Sequence, residues 1–453
     1  MKQTNRLGED PILPLVLRLA IPTMLAQLVS VLYSIVDRMY IGAGVGDLAL
    51  AGVGVCGPIV TLLGSFASLV GLGGSPQMAM RMGEGNRKEA ERILSNSLFM
   101  LLALSAVLTT VFLLLKSHLL MWFGASDATF GYANTYLTII AAGTFFALLA
   151  GGMNSFLICQ GFPGLGMATV MLGAVLNIVL DPIFIFILHL GVAGAAIATV
   201  FSQMVSCIFV LCALARHSMP VQLHWRGFSH KIMLRIATFG LPPFLIIASD
   251  SVLFILLNTL LQRYGGPGEG DVLVTCAAIV QSYYLLVCMP LGGITAGSQP
   301  IISFNYGAAK PKRILTAIRF VVGLCLCFCT LMMLATYTPL SSLFVRLFTT
   351  STVIAPRAVH FIKIYTLMII PLAVQYALVD ETTAMGQLRL SLFCSMFRKG
   401  MFLVSVILLP LFFGAQAVFF AEPIVDLLAA MVTAFLFLRV IPQKLKERVG
   451  SAV

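Results

Sequence analysis

Asn177 and Asp181 stand four residues apart in the apolar run VLNIVLDPIFIF (Val175 to Phe186), a spacing that puts both on one face of a helix, about a turn from each other. Together they offer a carboxylate and an amide carbonyl, hard oxygen ligands for Na+ or, at the carboxylate, a proton acceptor. Asp37, in YSIVDRMYIG, brings a second carboxylate from another apolar run. An ionised carboxylate left alone in hydrocarbon is costly, so each of these acids must face protein, water or a bound ion. Two carboxylates in a poorly solvated pocket repel, which lets one of them hold a proton near neutral pH. Asp37, Asn177 and Asp181 therefore read as a cation-exchanging site. The alternative, an ion pair between Asp37 and Arg38, is disfavoured because adjacent helical residues point in different directions.

Such residues need a scaffold that can hold charge inside a bilayer. The 453-residue chain is 59% hydrophobic and 10% charged, with a mean hydropathy of +1.01, which excludes a soluble globular protein. Crossing a bilayer takes roughly 20 apolar residues. Twelve such stretches follow one another, centred near residues 28, 62, 105, 147, 178, 204, 250, 285, 325, 370, 403 and 428. The turns between them leave no room for a sizeable soluble domain. The expected fold is an all-α integral membrane protein of twelve transmembrane helices.

The net charge of +11 reflects topology rather than nucleic-acid binding. With both termini cytoplasmic, the basic clusters at Arg81 to Arg92, Lys231 to Arg235, Lys310 to Arg319 and Arg439 to Arg448 all fall on the internal face, as the positive-inside rule requires. The first apolar stretch exceeds a signal-peptide core and should be retained as a helix. The ten cysteines, mostly within apolar stretches such as LCLCFC (Leu324 to Cys329), lack the spaced partners of a metal site and read as packing thiols. The glycine runs GVGVCG (Gly52 to Gly57) and GLGGS (Gly71 to Ser75) lack the lysine-serine ending of a phosphate loop, so small residues allowing close helix packing explain them better.

Two anchors recur at an offset of 221 residues: Pro22 with Pro243, and Arg92-Ile93-Leu94 with Arg313-Ile314-Leu315. Farther on, LGVAGAAIA is matched by FGAQAVFFA with a small drift. This predicts a duplicated six-helix unit, with an N-terminal lobe over 1–220 and a C-terminal lobe over 221–453. An even number of crossings gives both copies the same orientation, related by a pseudo-two-fold axis along the membrane normal. A cleft between two such lobes can open to either face.

The second copy does not reproduce the first copy's carboxylate, because Asp37 maps to Asn258. Asp250 and the adjacent Asp380 and Glu381 mark a second candidate site in the C-terminal lobe. Arg398 and Lys399 should face Glu422 or Asp426 if the last two helices pack together, and read as structural ion pairs, since an unpartnered buried charge is strongly destabilising.

Six blocks now carry a resemblance. YSIVDRMYIGAGVGDLALAGVG, MNSFLICQG, LNIVLDPIFIF and GVAGAAIATVFSQ, followed by GSQPIISFNYGAAKPKR and FFAEPIVDLLAAM, together resemble the multidrug and toxic compound extrusion (MATE) family, especially its bacterial MepA-like members, over nearly the whole chain. The resemblance implies a two-lobe exporter in the bacterial cytoplasmic (inner) membrane that uses a cation gradient to expel amphipathic organic cations. It also implies an N-lobe pocket whose matching positions here are Asp37, Tyr136, Asn154, Asn177, Asp181 and Thr199. Pro22, which lacks an amide hydrogen, permits a kink in the first helix, and in similar transporters this helix bends.

The function expected is a cation-coupled (H+ or Na+) multidrug efflux antiporter working by alternating access, with no cofactor beyond the coupling ion, no enzyme activity, a lipid bilayer as its surroundings and a monomeric state. A flippase for lipid-linked intermediates is the alternative, although a diphosphate would want a basic cleft and the embedded acids outnumber the bases. An intramembrane prenyl-diphosphate enzyme is disfavoured because no repeated Asp-rich motif is present to hold Mg2+.

Overall fold

The computed structural model describes residues 6–224, 227–266, 268–349 and 351–450, with all their side chains except those of Asp47 and Ser251. Among these residues there are fifteen α-helices and no β-strand. In hydrocarbon every backbone polar group must be satisfied within its own segment, and an apolar chain meets that demand as helix. The first half runs through α1 (Ile12–Val45), α2 (Asp47–Gly83), α3 (Arg87–Trp122), α4 (Asp127–Ala142), α5 (Thr144–Cys159), α6 (Pro163–Pro182) and α7 (Gly191–Leu214). The second runs through α8 (His230–Gly265), α9 (Glu269–Gly307), α10 (Pro311–Thr336), the short α11 (Leu340–Arg346), α12 (Ile354–Tyr365), α13 (Ile369–Ala384), α14 (Leu388–Phe413) and α15 (Ala421–Gly450).

Ten helices are long and apolar enough to cross a membrane. The pairs α4–α5 and α12–α13, bent by 55° and 51°, supply two more spans, giving twelve. Local chemistry sets several boundaries. Gly46, at a φ of 110°, turns the chain from α1 into α2. Asn86 caps α3 by accepting from the Glu89 amide at 3.1 Å, and Pro163 and Pro311 begin α6 and α10, where the missing amide hydrogen costs nothing.

The buried apolar residues form two cores. One gathers Ile41 to Ile236 from the first half and the start of α8. The other gathers Leu257 to Leu445 together with Leu7 to Ala20 from the beginning of the chain. The first helix of each half is thus shared: α1 begins in the second core and ends, at Ile41, in the first, while α8 begins in the first core, at Ile232 and Ile236, and ends, at Leu257 and Leu261, in the second. Pro22 and the Pro242–Pro243 pair sit where each helix passes between cores. Both helices continue through these prolines.

The halves meet where α1 packs on α9, α2 on α8, and α2 on α9. Glycine permits this approach: a Cβ on Gly240 of α8 would run into the Leu69 backbone of α2, and one on Gly307 of α9 into the Met80 backbone. Toward the other end of α2, a Cβ on Gly54 or Gly64 would have no neighbour within 4 Å. Leu7, ahead of α1, and Arg448, near the end of α15, both lie on the packed face. Asn305 donates to the Leu7 carbonyl at 3.0 Å, and Arg448 reaches both the Gly307 carbonyl and Glu84.

Candidate functional site

α6 presents Asn177 and Asp181, 2% and 0% exposed, toward α1 and α7. Asn177 Nδ2 donates to Asp181 Oδ1 at 3.2 Å and to Thr199 Oγ1 of α7 at 3.3 Å. Asp37 of α1 lies near enough to Asp181 for the two carboxylates to repel each other. Among the described residues no ion pair joins Asp37 to Arg38. Three buried acceptor atoms here, Asp37 Oδ1, Asn177 Oδ1 and Asp181 Oδ2, have no hydrogen-bond partner. Buried polar atoms are satisfied in the great majority of cases. A cluster of acceptors lacking donors is one that a proton or a small cation would complete.

Tyr136 of α4, 8% exposed, lies within electrostatic reach of Asp37. Asn154 does not join the group. Its Oδ1 lies against Gly166 near the start of α6, eleven residues before Asn177, or about 16 Å at 1.5 Å per residue. Tyr33, by contrast, stands one turn before Asp37 on α1 and senses both Asp37 and Asp181. Its i, i+4 spacing from Asp37 is the one signal in the sequence that points to it.

In the second half the acids are distributed differently. Arg398 of α14 pairs with both Glu422 and Asp426 of α15, the latter at 2.9 Å. Tyr284 of α9 donates to Glu422 at 2.8 Å, and Tyr365 of α12 donates to its other oxygen at 3.2 Å. This is the structural ion-pair group expected for Arg398, Glu422 and Asp426. Lys399 departs from expectation: it pairs with Asp250 of α8, because consecutive helical residues diverge by about 100° and Arg398 takes the inward direction. Asp250 is therefore engaged with Lys399, its side chain 54% exposed. Asp380 of α13 accepts from Thr295, and Glu381 accepts from Ser298 at 2.9 Å, leaving Glu381 Oε2 buried without a partner.

The cysteines are free, and no group of three or more His, Cys, Asp or Glu residues placed to hold a metal is found among the described residues.

Known proteins resemble this chain over nearly its full length. A multidrug export protein MepA from Staphylococcus haemolyticus is 24% identical over 436 residues, covering 94% of each chain. The MepA of Staphylococcus aureus strain N315 is 23% identical over 427 residues, covering 93% of each. Among solved structures, a MOP superfamily transporter from Pyrococcus furiosus, described as having a binding pocket of reverse polarity that suggests a different function, superposes with a TM-score of 0.90 at 25% identity over 98% of this chain and 99% of its own. An outward-facing multidrug resistance MATE family transporter gives 0.88 at 25% identity, with the same coverage. The sequence model of the MatE family matches twice, over residues 22–183 and 242–411, one copy to each set of six spans and together most of the chain. The duplicated, twelve-span, two-lobe protein described here belongs to the MatE family.

Proposed function

We propose that this protein is a multidrug efflux antiporter, in which H+ or Na+ enters the Asp37–Asn177–Asp181 pocket as an amphipathic organic cation leaves through the cleft. One observation carries the reading: three buried acceptor atoms at the meeting point of α1 and α6 have no partner, an arrangement that a positive charge would satisfy. A proton is favoured over Na+, because the converging oxygens are few and a neutral carboxyl tolerates apolar surroundings better than an incompletely coordinated ion. The basic clusters beside the packed face support, by the positive-inside rule, a cytoplasmic position for that face and both termini, with a cleft that opens outward. A ligand shifts a two-state protein only by its differential affinity for the two states, so ion and substrate exchange without ever meeting in the pocket if each favours a different opening. The multidrug export relatives support a broad substrate range.

The experiment is dye efflux from proteoliposomes, with pH and Na+ gradients imposed separately and the voltage clamped. Flux driven by the pH gradient is expected. Flux driven by Na+ and indifferent to pH reverses the ion assignment, and indifference to both overturns the antiport.

A further inference from the structure

The repeated Arg-Ile-Leu anchors have no part in the pocket, yet each arginine holds the chain where it enters the first helix of the other half. Arg313, at the start of α10, donates from Nη2 to the carbonyls of Asp10 at 2.8 Å and Leu7 at 3.3 Å, just ahead of α1. Its Nε donates to Asn305 Oδ1 at 3.1 Å, and Asn305 Nδ2 donates to Leu7 O at 3.0 Å. Arg92, at the start of α3, donates from Nε to the Gly227 carbonyl at 3.4 Å, just ahead of α8. Asn96, one turn along, donates to the same carbonyl at 3.2 Å and accepts from the Ser229 amide at 2.8 Å. Both asparagines are fully buried.

The two straps are thus chemically alike, an arginine and a buried asparagine on backbone carbonyls, and they cross in opposite senses between the halves. Both lie on the packed face, next to the glycine contacts of α2 with α8 and α9. If each half moves as one body with its own first helix, that face opens only by moving each lead-in segment away from the half that holds it.

We propose that Arg92–Asn96 and Arg313–Asn305 are a pair of latches that hold the packed face closed. Opening the cleft to that side requires release of both, which leaves two buried amides and several main-chain carbonyls to find water. The latches rest on the alternating-access reading for their use, but not for their measurement.

Hydrogen–deuterium exchange on the full-length protein in nanodiscs tests them. Arg313→Ala and Arg92→Ala should each raise exchange about tenfold, the loss expected for one or two hydrogen bonds of ordinary strength, in peptides covering 12–24, 69–83, 230–244 and 290–307. Peptides from α4 and α5 should be unchanged, as should all peptides in Lys312→Ala, a neighbouring exposed residue. Exchange that stays at the wild-type level in both arginine variants overturns the latches, and so does a rise spread evenly through α4 and α5, which reports lost stability alone. Wild-type efflux is measured in parallel: its absence counts against antiport and leaves the exchange result standing.

Discussion

The pocket between α1 and α6 and its counterpart between α8 and α14 are copies of one scaffold with opposite contents. At the offset of 223 that relates LGVAGAAIA to FGAQAVFFA, Asn177 is answered by Gly400 and Asp181 by Val404, and at 221 Asp37 is answered by Asn258. The first copy keeps two carboxylates facing each other with acceptors to spare. The second has no ionisable group at these positions, and its charges sit elsewhere, mostly saturated: Arg398 against two acids, Lys399 against Asp250. Duplication preserved the packing while the chemistry separated: the first half gathers unpartnered acceptors around two facing carboxylates, and the second ties most of its charges into ion pairs, Glu381 Oε2 being an exception.

The sharpest way to break this contrast is Asp181→Asn or Asp37→Asn. Each should reduce gradient-driven dye efflux to that of protein-free vesicles while thermal unfolding in detergent stays near wild type, because the amide keeps the shape and cannot exchange a proton. Robust efflux in both variants would remove the first pocket from coupling. Next in size is Arg398→Ala, which leaves Glu422 and Asp426 buried together without their cation. A loss of about 3–5 kcal/mol is expected for removing one partner of a buried ion pair, read as a lowered unfolding temperature. An unchanged temperature with lost efflux would give this group a transport role instead.

Asn258→Asp puts a carboxylate back into the silent copy. With glycine and valine as its counterparts to Asn177 and Asp181, it should cost about 1–3 kcal/mol, the usual penalty for a poorly partnered buried polar group, and add no response to ion gradients. A second ion response would mean that the C-terminal half lacked only the acid. The smallest effect belongs to Asp250→Asn: where water reaches its 54% exposed side chain the pair contributes at most about 1 kcal/mol, and a loss of several would show that the pair faces hydrocarbon, where leaving Lys399 without its partner is costly.

Much of the fold was legible because its determinants are local. Twelve apolar runs of sufficient length give twelve spans, and Pro22 and Pro243 with the two Arg-Ile-Leu anchors reveal the duplication. The i, i+4 spacing of Asn177 and Asp181 likewise fixes their common face. What depended on the third dimension was harder to read. Asn154 shares a block of resemblance with the pocket yet stands about three turns of α6 away from it, a distance along a neighbouring helix that no spacing within MNSFLICQG encodes. The partner of Lys399 depended on how α14 is rotated against α8 and α15, which the pairing of two basic residues with two acidic ones left ambiguous. The division of α1 between two cores was hidden for the same reason: Leu7 to Ala20 look no different from any other apolar run, and only the packing of α9 against them shows where they belong.

That division bears on biosynthesis. The segment Leu7 to Ala20 is made first, but the residues that cover it lie between Leu257 and Leu445, so it waits through most of translation before its neighbours exist. A chain stopped after the sixth span would carry a half-built first helix and a bare row of glycines along α2. Single domains ordinarily fold as they emerge from the ribosome. Here the nascent first half stays unfinished until α9 and α10 are inserted, and quality control in the membrane therefore has a defined intermediate to recognise.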